Sequence, residues 1–251
     1  MDWSDLDREI ACWGAQGRTV TLWWRDDDAA VPDSKLDRLL TIAAAADLPV
    51  ALAVIPHSMS SSLAERLACA DKACTLQHGF AHANHAAAGK PENEHGVERT
   101  LEERLEELAD GRKRMEALPR FVPVLVPPWN RLPYDLLSHL PTIGLYGVSV
   151  WGPRLCTWPA PGVQQVDVHV DVMDWDTRRF CGLNRGLTQL IGHLRARRLG
   201  SVDADEPTGV MTHHSFHDEA AWVFLTELLW RTRLHHGVRW LSATAIFTFE
   251  V

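Results

Sequence analysis

Short apolar runs that stop abruptly alternate along this chain with longer stretches whose apolar residues recur every three or four positions. The runs read as strands: 20–24 (VTLWW), 49–55 (PVALAVI), 73–77, 121–126, 144–150, 163–170, 209–212 and a last one around 240–247. Continuous apolarity, as in 49–55, marks a strand covered on both faces. The periodic stretches read as helices. A short amphipathic helix opens the chain, and 35–46 carries an apolar stripe of Leu36, Leu39 and Leu40. The stretch 97–118 repeats Leu101, Leu105, Leu108 and Met115 before Pro119 stops it. Further helices are expected at 61–70, 134–140, 187–197 and 219–235. Strand and helix alternate throughout, which predicts an α/β fold with a mainly parallel sheet under covering helices, closed as a barrel or open. No internal repeat or linker interrupts the pattern, so 1–251 is expected to be one domain.

Composition narrows the partners more than the fold. Hydrophobic residues make up 46% and charged residues 23%, as in an ordinary globular protein. The net charge is −8, and the one basic run, RARRL at 195–199, sits at an expected helix end where cations suit the dipole. Nucleic acid and anionic membrane are therefore poor partners, and no apolar run approaches the roughly 20 residues of a membrane span. Five cysteines without CxxC spacing point to free thiols, and an acidic opening (MDWSDLDREIACW) is unlike a signal peptide. A cytoplasmic location is the simplest expectation.

The stretch 77–85 (QHGFAHANH) holds three of the thirteen histidines. His78 and His82 are four apart, so one helical turn would place both imidazoles on one side, a metal-ligand spacing. The polar clusters share a position. Asp26 to Asp28, His78 to His85, Pro127 to Asn130, Asp171 to Asp176 and His213 to Asp218 each follow the carboxyl end of an expected strand, where α/β folds place their sites. Any one of them also reads as turn or capping chemistry. Together they point to a metal-dependent hydrolytic site.

In this order the clusters RDDDA, HGFAH, DVMDW and VMTH resemble the motifs of the polysaccharide deacetylase family, the NodB-homology domain, over about 19–241. The resemblance implies a distorted seven-stranded β/α barrel that hydrolyses an N-acetyl or related acyl amide. It makes Asp27 the catalytic base and Asp28, His78 and His82 the ligands of one divalent metal ion. His213 becomes the proton donor, with Asp171, Asp174 and Trp175 on the groove or behind it. The third motif departs from the family: an arginine before a proline is replaced by PPWN, which leaves Arg25 or Arg131 to partner Asp27. Ala29 also stands where glycine is usual.

Amide hydrolysis needs an activated water, a place for charge on the carbonyl oxygen and a proton for the amine. Zinc is the default ion, and cobalt, nickel, iron or manganese suit the same ligands. Trp129 and Asn130 are candidate oxyanion donors through their backbone N–H, since the prolines before them have none. In a strand His213 and His214 point to opposite sides, so His214 and His217 are expected at the rim or capping the next helix. A neighbouring acid, Asp171 or Asp174, is expected to orient His213. Trp129, Trp151 and Trp175 are placed to stack on a sugar ring, His85 is a surface loop residue, and adjacent Trp23 and Trp24 must face opposite sides of their strand. The expected partner is a small-molecule or oligosaccharide substrate. A cyclic imide or ureide substrate, and a catalytically silent carbohydrate-binding domain, are the competing readings. The oligomeric state has no signature in the sequence.

Overall fold

In the computed structural model, which describes residues 1–249, helix α1 (Trp3–Ala15) leads into the long strand β1 (Val20–Ala29). Helix α2 (Ser34–Ala46), β2 (Val50–Val54), α3 (Ser61–Ala68), β3 (Ala73–His78), α4 (Leu101–Met115), β4 (Phe121–Val126) and α5 (Tyr134–Leu137) follow. Five short strands come next: β5 (Gly147–Val148), β6 (Gln164–Gln165), β7 (Val170–Asp171), β8 (Met173–Asp174) and β9 (Arg179–Phe180). Then come α6 (Leu183–Leu199), β10 (Thr208–Thr212), α7 (Glu219–Thr232), β11 (Val238–Trp240) and α8 (Ala243–Ile246).

The main sheet runs β6-β5-β4-β3-β2-β1-β10-β7 with parallel pairing throughout, and β11 pairs with the start of β1. Its two ends belong to one segment. Val166 and Val168 donate their N–H groups to Val148 and Val150 on one side, and His169 donates to Gly209 on the other. One broken stave therefore closes the sheet on both edges, and the result is the distorted seven-stave barrel expected from the motifs. The strand expected at 163–170 is that stave, split where it changes partners.

β1 is the axis of the molecule. Trp23 fills the barrel with Ala51, Ala53, Leu76, Val124 and Met211, while Trp24 faces outward into Leu36, Leu39 and Leu225 of the covering helices. The two tryptophans divide between faces as strand alternation requires. Small residues on β2 leave room for the indole of Trp23, whose Nε1 donates to the Asp167 carbonyl at 3.0 Å. Phe247 meets it edge-on at 6.2 Å and closes the barrel's amino-terminal end.

Several expected boundaries move for local reasons. α4 starts at Leu101 because Thr100 and Glu103 form a reciprocal cap, and Val97 lies exposed before it. The strand expected at 144–150 shrinks to two residues, since Gly144 at φ 77° still caps the preceding 3-10 turn. The apolar run at 240–247 is β11 followed by α8, because an apolar run signals burial without fixing conformation. Among the described residues no helix is long and apolar enough to cross a membrane.

Gly209 marks how tightly the barrel is filled. A Cβ there would lie 2.5 Å from Trp23 Nε1 and 2.6 Å from the Asp167 carbonyl oxygen. Gly209→Ala should therefore destabilise the fold by about 1–3 kcal/mol, the usual cost of overpacking. Urea denaturation checks it, and an unchanged midpoint would show that the closing stave yields freely.

Candidate metal centre and active site

The site grows from the carboxyl end of β1. Alternation sends Trp23, Arg25 and Asp27 to the barrel side, and Trp24 and Asp26 outward. Asp28 breaks the rule. It adopts φ 70°, and the register against β2 shifts between Asp26 and Ala29, so the bulge turns Asp28 back to the site beside Asp27. Aspartate tolerates this left-handed conformation better than most residues.

His78 ends β3, and its Nδ1 donates to the Val126 carbonyl at 2.8 Å, which leaves the Nε2 lone pair 3.1 Å from Asp28 Oδ1. His82 Nε2 lies 3.4 Å from the same oxygen, and the three donor atoms fall within 4.8 Å of one another. A lone pair facing a carboxylate oxygen is repulsive unless a cation or a proton lies between them. Bonds of about 2.1 Å meeting at roughly 90–110° hold donor atoms about 3.0–3.4 Å apart, so the donor set fits a divalent ion. The helical turn expected to align His78 and His82 is absent: His78 is on a strand and His82 is in a loop at φ 56°. With a proton on His78 Nε2 in that place, burial pushes the Asp28 carboxyl up, but the His78 hydrogen bond and the charges of His78, His213 and His82 outweigh it and hold the group low. Burial and the neighbouring charge of His78 both lower His82.

Arg25 answers the departure in the third motif. Its guanidinium is fully buried and grips both oxygens of Asp27 at 2.9 Å. The remaining N–H groups donate to the Ser149 carbonyl and hydroxyl and, at 2.7 Å, to Asn130 Oδ1. Arg131 instead donates to the Glu92 carbonyl. Trp129 and Asn130 occupy left-handed backbone at φ 55° and 56°. The Asn130 N–H is spent on the Pro127 carbonyl, which leaves that of Trp129 as the oxyanion candidate.

His213 Nε2 lies 3.9 Å from Asp27 Oδ2, so base and acid candidates are neighbours. The Trp175 and His213 rings meet nearly at right angles with centres 4.6 Å apart, and Trp175 Nε1 donates to Asp171 Oδ2 at 2.8 Å. Asp171, which burial pushes up, thus reaches His213 by way of Trp175. Asp174 is elsewhere, accepting from the Asp176 N–H and lying 3.9 Å from Arg185, because the β8–β9 hairpin turns it outward. His214 is not at the rim. It is buried against Asp26, which accepts from both its ring and its backbone N–H, and from the Thr212 hydroxyl. His217 is also buried, against Trp222, and burial lowers it to about 4. Trp129 packs on His82 at 4.5 Å, and His85 is exposed in the loop as expected. Asp26 and Ser149 were not among the expected supports. Alternation along β1 already implied that Asp26 faces away from Asp27; Ser149 carries no local signal.

A second cluster, His169, His193 and Glu206, has ligand-type atoms within 4.8 Å but is not built for an ion. The two imidazoles stack at 3.4 Å with planes 13° apart. An ion shared between them would sit at least half that spacing out of one ring plane, too far for a lone-pair bond of about 2.1 Å. His169 Nδ1 also accepts the Gly209 N–H at 3.0 Å, which places the ring's proton on Nε2, facing Glu206. Beneath this cluster burial pushes Asp167 up to about 7.

No family model matches this sequence, and no curated protein matches it. Solved structures match in fold. The Bc1960 peptidoglycan N-acetylglucosamine deacetylase, in complex with 4-naphthalen-1-yl-N-oxidanyl-benzamide, has a TM-score of 0.60 at 11% identity, over 94% of this chain and 96% of that one. A family 4 carbohydrate esterase from Streptomyces lividans in complex with acetate has 0.55 at 14%, over 88% and 90%. A CE4 family pseudoenzyme from Bacillus anthracis has 0.56 at 12%, over 92% of this chain and 66% of that one. The fold is that of the polysaccharide deacetylases, of the NodB-homology type. A protein named a deacetylase and one named a pseudoenzyme share it, so function must be argued from the site.

Two predictions follow from buried charge. Arg25→Met should cost about 3–5 kcal/mol by stranding the Asp27 carboxylate, and adding Asp27→Asn should recover most of it. Denaturation of the three proteins tests this; additive losses would mean that the pair is not coupled. For Asp167, the unfolded chain releases its proton near the ordinary carboxylate value of 3.8 while the folded protein holds it to about 7, so this group makes stability fall as pH rises through that window. The melting temperature of Asp167→Asn relative to the parent should rise from about pH 4 to 7. A gap that is constant with pH would show the group already ionised.

Proposed function

We propose that this protein is a metal-dependent hydrolase that removes an acetyl or similar acyl group from an amide nitrogen, with an N-acetyl sugar or related carbohydrate as substrate. The observation that carries the reading is the convergence of Asp28, His78 and His82 on one point beside Asp27 and His213, on the fold of known deacetylases. When bound by that triad, a divalent ion, zinc by default, supplies an acidified water and a positive charge for the carbonyl oxygen.

The chain's own groups do the rest. Asp27, aimed by Arg25, takes the water's proton as the water's oxygen attacks the carbonyl carbon. The Trp129 N–H supports the oxygen that gains charge. His213 delivers a proton to the nitrogen as the C–N bond breaks, releasing carboxylate and amine. Trp129 and Trp175, packed on His82 and His213, offer aromatic faces on two sides of the site to a sugar ring.

Assays of the zinc-loaded protein on N-acetyl sugars and on cyclic imides decide the substrate, and no hydrolysis of either would mean a silent domain. His78→Ala should abolish stoichiometric metal. Asp27→Asn should keep metal and lose roughly 10²- to 10⁴-fold in turnover. His213→Ala should cut turnover on amides sharply but far less on activated esters, whose leaving groups need no proton. Equal losses on both substrates, or a larger loss from His214→Ala, would overturn the role of His213.

A further inference from the structure

The loop that carries His82 is wrapped around a buried carboxylate that belongs to none of the expected motifs. Glu94 is fully buried, and its oxygens accept the backbone N–H groups of Phe80 at 3.0 Å, Ala81 at 2.7 Å and Ala83 at 3.3 Å. The nearest titratable partner is His95, with Nε2 at 3.5 Å, which burial lowers to about 4 and leaves neutral. The Glu94 carboxyl is therefore held by backbone amides, in a nest filled by the chain's own side chain.

Two details tie this nest to His82 in particular. The amides of Ala81 and Ala83, on either side of His82, both converge on Glu94 Oε1. That convergence curls the backbone and goes with the φ of 56° at His82, a left-handed conformation unfavourable for a non-glycine residue. The second detail is Gly79, where a Cβ would lie 1.9 Å from Glu94 Oε2 and 2.6 Å from Pro128. Glycine after His78 is what lets the carboxylate enter. The rest of the loop is anchored independently: Gly79 donates to Val126, its carbonyl accepts from Gln77, and the Phe80 carbonyl accepts from His57.

We infer that Glu94 is the positioning residue for His82, holding that imidazole toward Asp28 and His78 so that the triad exists before an ion arrives. The inference rests on the metal-site reading above. Glu94 touches neither metal nor substrate and acts through the two amides that flank His82.

The test uses the full-length protein and measures zinc affinity by competition with a chromogenic chelator, the visible spectrum of the cobalt-substituted protein, and apoprotein stability. Glu94→Gln, which loses one acceptor, and Glu94→Asp, which withdraws the carboxylate by one methylene, should each weaken zinc binding about 10- to 100-fold and alter the cobalt spectrum. In a His82→Ala background the same changes should have no further effect on zinc affinity, because the group they position is gone. Unchanged affinity and spectrum, additive losses in the double variants, or a loss of affinity no greater than the loss of apoprotein stability would each overturn the inference. If His82→Ala itself binds zinc like the parent, the metal-site reading fails; if only the Glu94 variants do, the positioning role alone fails.

Discussion

The buried guanidinium of Arg25 is the constraint on which the upper end of this barrel depends. Removing a cation from water costs several kcal/mol unless each of its donors is met, and all five are. The acceptors come from β1 itself, from Ser149 beyond β5 and from Asn130 in the turn after β4. Three segments far apart in sequence thus cannot shift without stranding a charge. The same contacts fix both Asp27 oxygens in place, as a group positioned to take a proton requires.

Around that ion pair the strand uses its two faces for two jobs. Arg25 and Asp27 face the site, and Asp26 faces outward, where it holds the His214 ring and backbone and the Thr212 hydroxyl. The outward network fixes the chain just after β10, from which His213 projects. A single left-handed residue, Asp28, then brings a second carboxylate to the same side as Asp27. The candidate acid, base and metal ligands are held by short connections to rigid strands, which is the precision that positioned catalysis needs.

Below this polar layer the molecule is close-packed. Trp23 occupies the barrel between Gly209 and the alanines of β2, and the stave at 163–171 closes the ring by changing partners midway. The stacked His169 and His193 lie where that stave meets α6, a place in which neutral imidazoles serve as polar packing and a shared ion has no geometry.

Strand and helix order, the position of the acids and histidines at strand ends and the opposite facing of Trp23 and Trp24 could all be read from the chain, because they follow from periodicities of two and 3.6 residues. The motif order carried the barrel and the identity of the triad. Alternation along β1 put Arg25 on the same face as Asp27, but only the tertiary structure showed that Arg131 is taken up by the Glu92 carbonyl and leaves the pairing to Arg25. It decided that His82 reaches the site from a loop and not a helical turn, that Asp174 turns outward and that His214 is buried. It also revealed Glu94, an acid in a polar loop without pattern. The reason is common to the last four. Which way a side chain faces at a bulge or in a loop depends on single backbone dihedrals, and those are selected by hydrogen bonds to residues remote in sequence, which no local periodicity records.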